Sequence, residues 1–478
     1  MPDIRYVCLS DMHLGAQNSL LTNLTSDSTG TDPLVASPVL THLVQCLREL
    51  INQNVDKAEK PTLILNGDIL ELALATENEA AMVFERLIEL IFPAGGDRLF
   101  KNVKYIPGNH DHHLWETARE VQYVQYIKNS SGQKPGSILD EPWHATKMFE
   151  PDPVPSPFLN GIVNRYGHLR DETIQTIYPN YALLKDNLRS VVFSHGHLVE
   201  SIYLLMSGLR QLIFPQAHPS VLTGDIEAEN FAWIDFFWSM MGRSGDVGTD
   251  VELVYDKLRS EKAFEEMVDN LAKGLATRFK FLPFGGDWIE TKVLNKLLHF
   301  LLLNVAHLER QKPATVMSAD TQAGLKNYLE GPVRKQIEAE RTNNIPRDMT
   351  FIFGHTHKPF QDVRNFDGYH PNLRIFNTGG WVIDTLEPQP LHGAAVVLLD
   401  ENLRAASVRM YNEAATVSDY QVKVETATHA EDEPNPFYER ICQLVDPSRD
   451  PWKTFSEIVF NAVPMRFQNL KYHIARRY

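Results

Sequence analysis

Five short apolar segments of the chain each end in side chains that can bind a metal ion or act on a substrate. These side chains are carboxylates, imidazoles and one amide, at Asp11 and His13, Asp68, Asn109 to Asp111, His195, and His355 and His357. Glycines stand beside most of them, and glycine lets the backbone come close to a ligand. Open α/β sheets carry their chemistry in the loops at the carboxyl ends of the strands. We therefore predict that these loops form one site.

The spacing within two of the segments favours metal binding. Asp11 and His13 are two residues apart, as are His355 and His357. In an extended segment, side chains at this spacing lie on the same side of the backbone, so each pair is predicted to chelate an ion. Taken singly, each segment also fits a structural interpretation. Asp68, for example, is a good N-cap for a helix that begins after it.

The ligand chemistry restricts the metal. Imidazole, carboxylate and amide oxygen, without thiolate, suit borderline or hard divalent ions. Mn is the first candidate, with Fe, Zn or Ni as alternatives. The three cysteines, Cys8, Cys46 and Cys442, are widely scattered. This pattern excludes a cysteine-rich zinc module and is typical of a reducing compartment.

Composition and charge restrict the class of protein. The 478 residues are 43% hydrophobic and 10% aromatic, which is enough for a sizeable core. The formal net charge of −15 argues against general binding of nucleic acid, which needs basic surface. Asp3 and Arg5 interrupt the first residues, so these do not predict a signal peptide, and no apolar run is long enough to predict a membrane span. We therefore expect a cytoplasmic protein.

The pattern of strands and helices divides the chain into three predicted parts. A strand–loop–helix rhythm over 1–197 resumes over 348–430, and these parts together predict a discontinuous α/β core. Residues 198–347, called the insert below, carry apolar helical patterns, including one over 293–308, and predict a helical cap over the site. Residues 431–478 read as a linker and a basic helical tail. The tail is predicted to pack on the core, with peripheral membrane contact as the less favoured alternative.

The motifs in this order make the sequence resemble the calcineurin-like metallophosphoesterases. The resemblance covers residues 4 to 200 and 349 to about 412 and rests on Asp-x-His, Gly-Asp, Gly-Asn-His-Asp, His-Gly and Gly-His-Thr-His. It implies an α/β fold, a four-layer αββα sandwich, with two divalent metal ions at the strand ends. It further implies one ion held by Asp11, His13, Asp68 and His357, and a second held by Asp68, Asn109, His195 and His355.

The same resemblance implies the roles of the remaining side chains. His110 matches the catalytic histidine of the family, which contacts the phosphoryl group or protonates the leaving oxygen as a general acid. Asp111 is placed to orient that imidazole, and a hydroxide bridging the two metals attacks phosphorus. His112 and His197 match no metal position and are candidate substrate contacts.

The predicted function is hydrolysis of phosphate esters or pyrophosphate bonds in a phosphorylated small molecule, as a phosphatase or phosphodiesterase. The apolar insert after His195-Gly196-His197 leaves open a lipid- or nucleotide-linked pyrophosphohydrolase whose cap binds acyl chains. A nuclease is less favoured because of the acidic charge. An inactive metal-binding scaffold is less favoured because all seven ligands and His110 are present. The sequence does not predict an oligomeric state.

Overall fold

The protein is described here by a computed structural model, which covers residues 1–129, 144–152, 154–240, 315–429 and 434–476, together with residue 273. The predicted helix over 293–308 lies outside the described residues, as does most of the insert between 240 and 315.

Two β-sheets form the centre of the described structure. In chain order, the strands of the first sheet are β1 (Ile4–Leu9), β2 (Thr62–Asn66), β3 (Asn102–Ile106), β4 (Gln175–Thr176), β10 (Gly393–Asp400), β11 (Ala405–Asn412) and β12 (Lys423–Glu425). Those of the second sheet are β5 (Asn180–Lys185), β6 (Arg189–Ser194), β7 (Asp348–Phe353), β8 (Phe360–Arg364) and β9 (Leu373–Asn377). The spatial orders are β12-β11-β10-β1-β2-β3-β4 and β5-β6-β7-β9-β8.

The strands that precede the predicted ligands are parallel to their neighbours. β1, β2 and β3 pair in parallel in the first sheet, and β6, β7 and β9 do so in the second. Parallel strands end at the same edge of a sheet, so the loops that follow them start side by side.

Successive side chains along a strand point to opposite faces of the sheet, so each sheet contributes to two apolar cores. In β1, Val7 and Leu9 face the helices outside the first sheet, whereas Cys8 faces the second sheet. Between the sheets, Cys8 belongs to one apolar cluster with Phe193 and Ile352. Side chains two apart on a strand share a face, so each strand contributes to both layers.

Helices cover the outer face of the first sheet. Four of these helices have side-chain caps: α1 (Pro38–Asn52) at Ser37, α2 (Glu77–Ile91) through a capping box of Thr76 and Glu79, α4 (Pro157–Val163) at Ser156, and α9 (Pro436–Leu444) at Asn435. The others are α3 (His113–Asn129) and α10 (Trp452–Arg476).

Described parts of the insert cover the second sheet. They comprise the helices α5 (Leu205–Ile213), α6 (Thr223–Ile234), α7 (Ala319–Tyr328) and α8 (Arg334–Glu340), with π-helical turns at Asp235–Ser239 and Leu329–Val333. Leu325 and Leu329 share an apolar cluster with Val192 and Phe351 of the sheet. The predicted four-layer αββα sandwich is therefore confirmed. The predicted division into core, cap and tail stays a prediction, since a large part of the insert lies outside the described residues.

The C-terminal helix α10 packs against α1. Phe455, Val459 and Phe467 belong to the core of the first sheet, and the buried Arg466 donates a hydrogen bond to the carbonyl oxygen of Thr22. The apolar side of the tail is thus covered by protein, as expected for a docked helix. No helix among the described residues has the length and apolar character needed to cross a membrane.

Candidate metal centre

The predicted ligands lie in loops whose backbone is unusual. Five of them have a positive φ: 49° at Asp11, 44° at His13, 51° at Asp68, 69° at His355 and 57° at His357. Such a conformation costs a residue other than glycine about 1–3 kcal/mol and is common where function requires it. The extended conformation expected for the two pairs is therefore wrong.

Neighbouring glycines make room for these loops. A Cβ atom on Gly108 would collide with the carboxylate of Asp68, and one on Gly354 would collide with that of Asp11. Both positions require glycine because a backbone passes directly against a carboxylate.

The first group of ligand atoms comes from Asp11, His13 and His357, whose donor atoms lie within 4.8 Å of one another. Nε2 of His357 is 3.4 Å from Oδ1 of Asp11, and Nε2 of His13 is 3.8 Å from Oδ2 of Asp68. All four side chains are buried.

The second group comes from Asp68, His195 and His355, with Asn109 beside them. Nε2 of His195 is 3.3 Å from Oδ2 of Asp68, 3.1 Å from Oδ1 of Asn109 and 3.3 Å from Nδ1 of His355. The Oδ2 atom of Asp68 therefore faces both groups. His355 and His357 belong to different groups, contrary to the expectation that they chelate one ion together.

The chemistry of the two groups fits divalent cations. Nε2 of His13 and Nε2 of His357 are buried and have no hydrogen-bond partner among the described residues. A buried polar atom without a hydrogen-bond partner lowers the stability of the folded protein by about 1–3 kcal/mol, and a bound cation would remove that cost. The donor set of imidazoles, carboxylates and one amide oxygen suits borderline or hard ions.

Two carboxylates at the centre of the site are kept anionic by their surroundings. Burial raises the pKa of Asp68, but the attraction of His195 and His110 outweighs it and holds the pKa well below the usual 3.8. The pKa of Asp11 is lowered as well, since His195 and His357 outweigh the effect of burial. Ionised carboxylates are the form that binds metal.

Residues 4–222 match the family model of the calcineurin-like phosphoesterases. Over this part of the chain, a little less than half of its length, the sequence is similar to that family. The matched residues include the loops from Asp11 to His195, and the structure brings His355 and His357 to the same place. The family match and the two adjoining groups of potential ligand atoms together indicate metal-dependent hydrolysis of phosphoesters.

Other comparisons add little to the family match. A dimetal phosphatase from Danio rerio aligns at 11% sequence identity over 89% of this chain and 99% of that chain. Its TM-score of 0.31 is too low to support a common fold. No curated protein matches the chain.

Glu71 joins the first group of potential ligand atoms to His110. Its Oε2 accepts a hydrogen bond from Nδ1 of His13 at 2.8 Å, and its Oε1 accepts one from Nδ1 of His110 at 2.9 Å. Burial raises the pKa of Glu71, but His110 and His13 outweigh it and keep the pKa well below its usual range. The carboxylate is therefore an anion placed between two imidazoles. The sequence interpretation missed Glu71, although it stands only three residues after Asp68.

Asp111 has a different role from the predicted one. Its carboxylate accepts hydrogen bonds from the backbone N–H of Gly108 at 2.6 Å and of Ile69 at 2.8 Å, and from the hydroxyl of Tyr105. It thereby ties the loop after β2 to the loop after β3. The carboxylate at Nδ1 of His110 is that of Glu71, so the prediction that Asp111 orients His110 is replaced by this arrangement.

Two further acidic residues contact predicted ligands. Asp384 pairs with Nδ1 of His357, and Oε1 of Glu200 lies 3.1 Å from Nε2 of His355. Carboxylates behind ligating histidines fix the ring orientation and raise its basicity. Neither residue belongs to a local motif, so no sequence signal pointed to them.

His112 and His197, the candidate substrate contacts, both lie in a buried polar network. Nε2 of His112 donates to Oε1 of Glu227 at 2.6 Å, and the hydroxyl of Tyr178 lies 3.0 Å from Nε2 of His197. Burial lowers the pKa of His112, but Glu227 and Asp235 raise it to about 10. His112 is thus engaged by the insert, and its predicted contact with substrate stays a prediction.

A separate cluster of potential ligands, His112, Glu116 and Glu227, is satisfied internally. Glu227 accepts from His112 and from the hydroxyl of Tyr178, and Glu116 accepts from Arg119 at 2.7 Å. Since these carboxylates already have cationic or hydrogen-bonding partners, the cluster reads as an ion-pair network.

Proposed function

We propose that the protein is a dinuclear-metal hydrolase of phosphate ester or pyrophosphate bonds in small molecules. Asp11, His13, Asp68 and His357 would hold one ion, and Asp68, Asn109, His195 and His355 the other. The observation that carries this proposal is the position of Asp68 Oδ2, which faces His13 of one group and His195 of the other. Two bound divalent ions would supply an activated water and neutralise charge on the phosphoryl oxygens.

Asp68 has a specific task in this proposal. Two dications about 3.5–4 Å apart repel each other, so an anion between them is needed. The low pKa of Asp68 keeps that anion present over the whole range in which a hydrolase works. Asp11 would supply a second negative charge on one side, while Asn109, His195 and His355 would supply neutral donors on the other once metal binding has displaced the protons of the imidazoles.

His110 is proposed as the general acid. The Glu71 carboxylate accepts a hydrogen bond from Nδ1–H, which fixes the ring and leaves Nε2 as the atom that delivers a proton. Because Glu71 is an anion, it stabilises the imidazolium form that can protonate the leaving oxygen. The backbone N–H of His110 also donates to Oδ1 of Asp68 at 2.7 Å, which ties the acid to the shared carboxylate.

A cavity supports the pyrophosphohydrolase alternative. Its volume is about 660 Å³, and its walls are mostly apolar, including Leu198, Ile202 and Ile226. Glu200 lines it and contacts His355. Such a cavity, beside but not within the ligand groups, could take an apolar part of a substrate.

Metal-dependent turnover tests the proposed function. Protein stripped with a chelator should be inactive, and activity should return as two equivalents of Mn²⁺ bind, with Fe²⁺, Zn²⁺ and Ni²⁺ as comparisons. The substrates are p-nitrophenyl phosphate, bis(p-nitrophenyl) phosphate, a nucleoside diphosphate sugar and an acyl-chain pyrophosphate. Full turnover by metal-free protein, or maximal turnover at one equivalent, would contradict the proposal. Preference for the acyl compound would select the alternative.

A further inference from the structure

One segment of the insert makes several polar contacts with the loop that carries His110. This loop, residues 110–113, follows the turn at Pro107 and Gly108 and leads into α3. The segment is residues 227–239, comprising most of α6 and the π-helical turn Asp235–Ser239. It lies beyond the residues matched by the family model. Its contacts are thus a feature of this chain's insert.

Ser239 makes the most direct contact. Its hydroxyl donates to the carbonyl oxygen of His110 at 3.3 Å and accepts from the backbone N–H of His113 at 2.9 Å. The side chain is completely buried. One hydroxyl therefore joins the residue that bears the proposed acid to the first residue of α3. The His110 carbonyl also accepts from the backbone N–H of Leu72 at 3.3 Å.

Two carboxylates hold the side chains of the same loop. Glu227 accepts from His112, as described above, and Oδ1 of Asp235 lies 3.4 Å from Nδ1 of His112 and 3.2 Å from Nδ1 of His113. Glu227 is itself fixed by the hydroxyl of Tyr178 at 2.9 Å. The loop after His110 is thus held through both its backbone and its side chains.

We propose that Ser239, supported by Asp235 and Glu227, is a positioning residue for His110, and that the insert therefore takes part in proton delivery to the leaving group. This rests on the proposed function, in which His110 is the general acid. Glu71 fixes Nδ1 of the His110 ring through a hydrogen bond. Ser239 instead fixes the carbonyl group of His110, and thereby the backbone position from which the ring extends. A general acid must lie within about 2.6–3.2 Å of the oxygen it protonates, so a small displacement of the peptide lowers its effectiveness.

Ser239→Ala tests the inference through leaving-group dependence. The loss of kcat should be roughly tenfold for phenyl phosphate, whose leaving oxygen needs a proton, because two hydrogen bonds to the loop are lost. It should be much smaller for p-nitrophenyl phosphate. Bound metal should stay at two ions per chain. Ser239→Thr, which keeps a hydroxyl, should restore most of the activity on phenyl phosphate.

Ser190→Ala is the matched control. Ser190 is also completely buried, and its hydroxyl donates to the carbonyl oxygen of Leu183 at the end of β6 far from the site. Ser190→Ala should lower the melting temperature about as much as Ser239→Ala does. The ratio of kcat for phenyl phosphate to kcat for p-nitrophenyl phosphate should stay unchanged. Should Ser239→Ala fail to fold, Asp235→Asn, at a less buried side chain, should show the same leaving-group pattern.

A double variant separates this inference from the proposed function. In a His110→Ala background, Ser239→Ala should cause no further loss, because the group that it positions is absent. Equal losses on both phosphates, or additive losses in the double variant, would overturn the inference while the acid role of His110 stands. If the loss of kcat in His110→Ala itself does not depend on the leaving group, the proposed acid role of His110 is wrong, and the inference about Ser239 is wrong with it.

Discussion

Asp68→Asn should abolish hydrolysis and lower the metal content from two ions per chain to one or fewer. The substitution keeps the size of the side chain and removes its charge. Oδ2 of Asp68 is the carboxylate oxygen that faces both His13 and His195, so its charge is the one shared by the two groups. Without it, two dications about 3.5–4 Å apart would repel each other with only Asp11 to offset them. Elemental analysis and turnover measure both effects.

Asp400→Asn is the control for this prediction. Asp400 is as deeply buried as Asp68, but it pairs with Ile4 at the start of β1, at the opposite edge of the sheet. The same chemical change there should leave the metal content and kcat unaltered. Two bound ions and full turnover in Asp68→Asn would remove the assignment of a shared carboxylate.

His110→Ala should act on catalysis alone. We expect kcat to fall by roughly 10²- to 10⁴-fold, the range found for a lost general acid. Both ions should remain bound, since the ring of His110 contacts Glu71, and the hydrogen bond to the Asp68 carboxylate comes from the backbone N–H of residue 110, which alanine keeps. The loss should be smallest for p-nitrophenyl esters, because their leaving group departs readily without a proton. The measurement is kcat for a series of phenyl esters with leaving groups of graded acidity.

His168→Ala serves as the control. His168 lies on the outer side of the first sheet, where its Nε2 contacts the carbonyl oxygen of Phe92. It should show unchanged kcat across the series. Loss of a metal ion from His110→Ala would identify His110 as a ligand, and an equal loss for every leaving group would exclude the acid role.

The sequence was informative where chemistry depends on local order. Asp11, Asp68, His195 and His355 each follow a strand, and parallel strands deliver their loops to the same edge of a sheet. A recognisable strand followed by a polar residue was therefore enough to predict the meeting of these side chains. The short apolar segments that became β1 and β2 were likewise predicted to be strands.

The sequence failed where long-range packing decides the outcome. Glu200 and Asp384 reach their histidines from loops without a pattern, and Ser239 reaches His110 from the insert, in a stretch where no motif marks it. The left-handed backbone at His355 and His357 sends the two rings to different groups. Propensity does not predict such conformations, because the surrounding structure imposes them.

The most direct test of the central claim is anomalous diffraction from crystals of the protein loaded with Mn²⁺. Two peaks should appear roughly 3.5–4 Å apart, the separation typical of dinuclear sites. One should be surrounded by Asp11, His13 and His357, the other by Asn109, His195 and His355, with Asp68 between them. A single peak, or peaks only at His112, Glu116 and Glu227, would contradict the account.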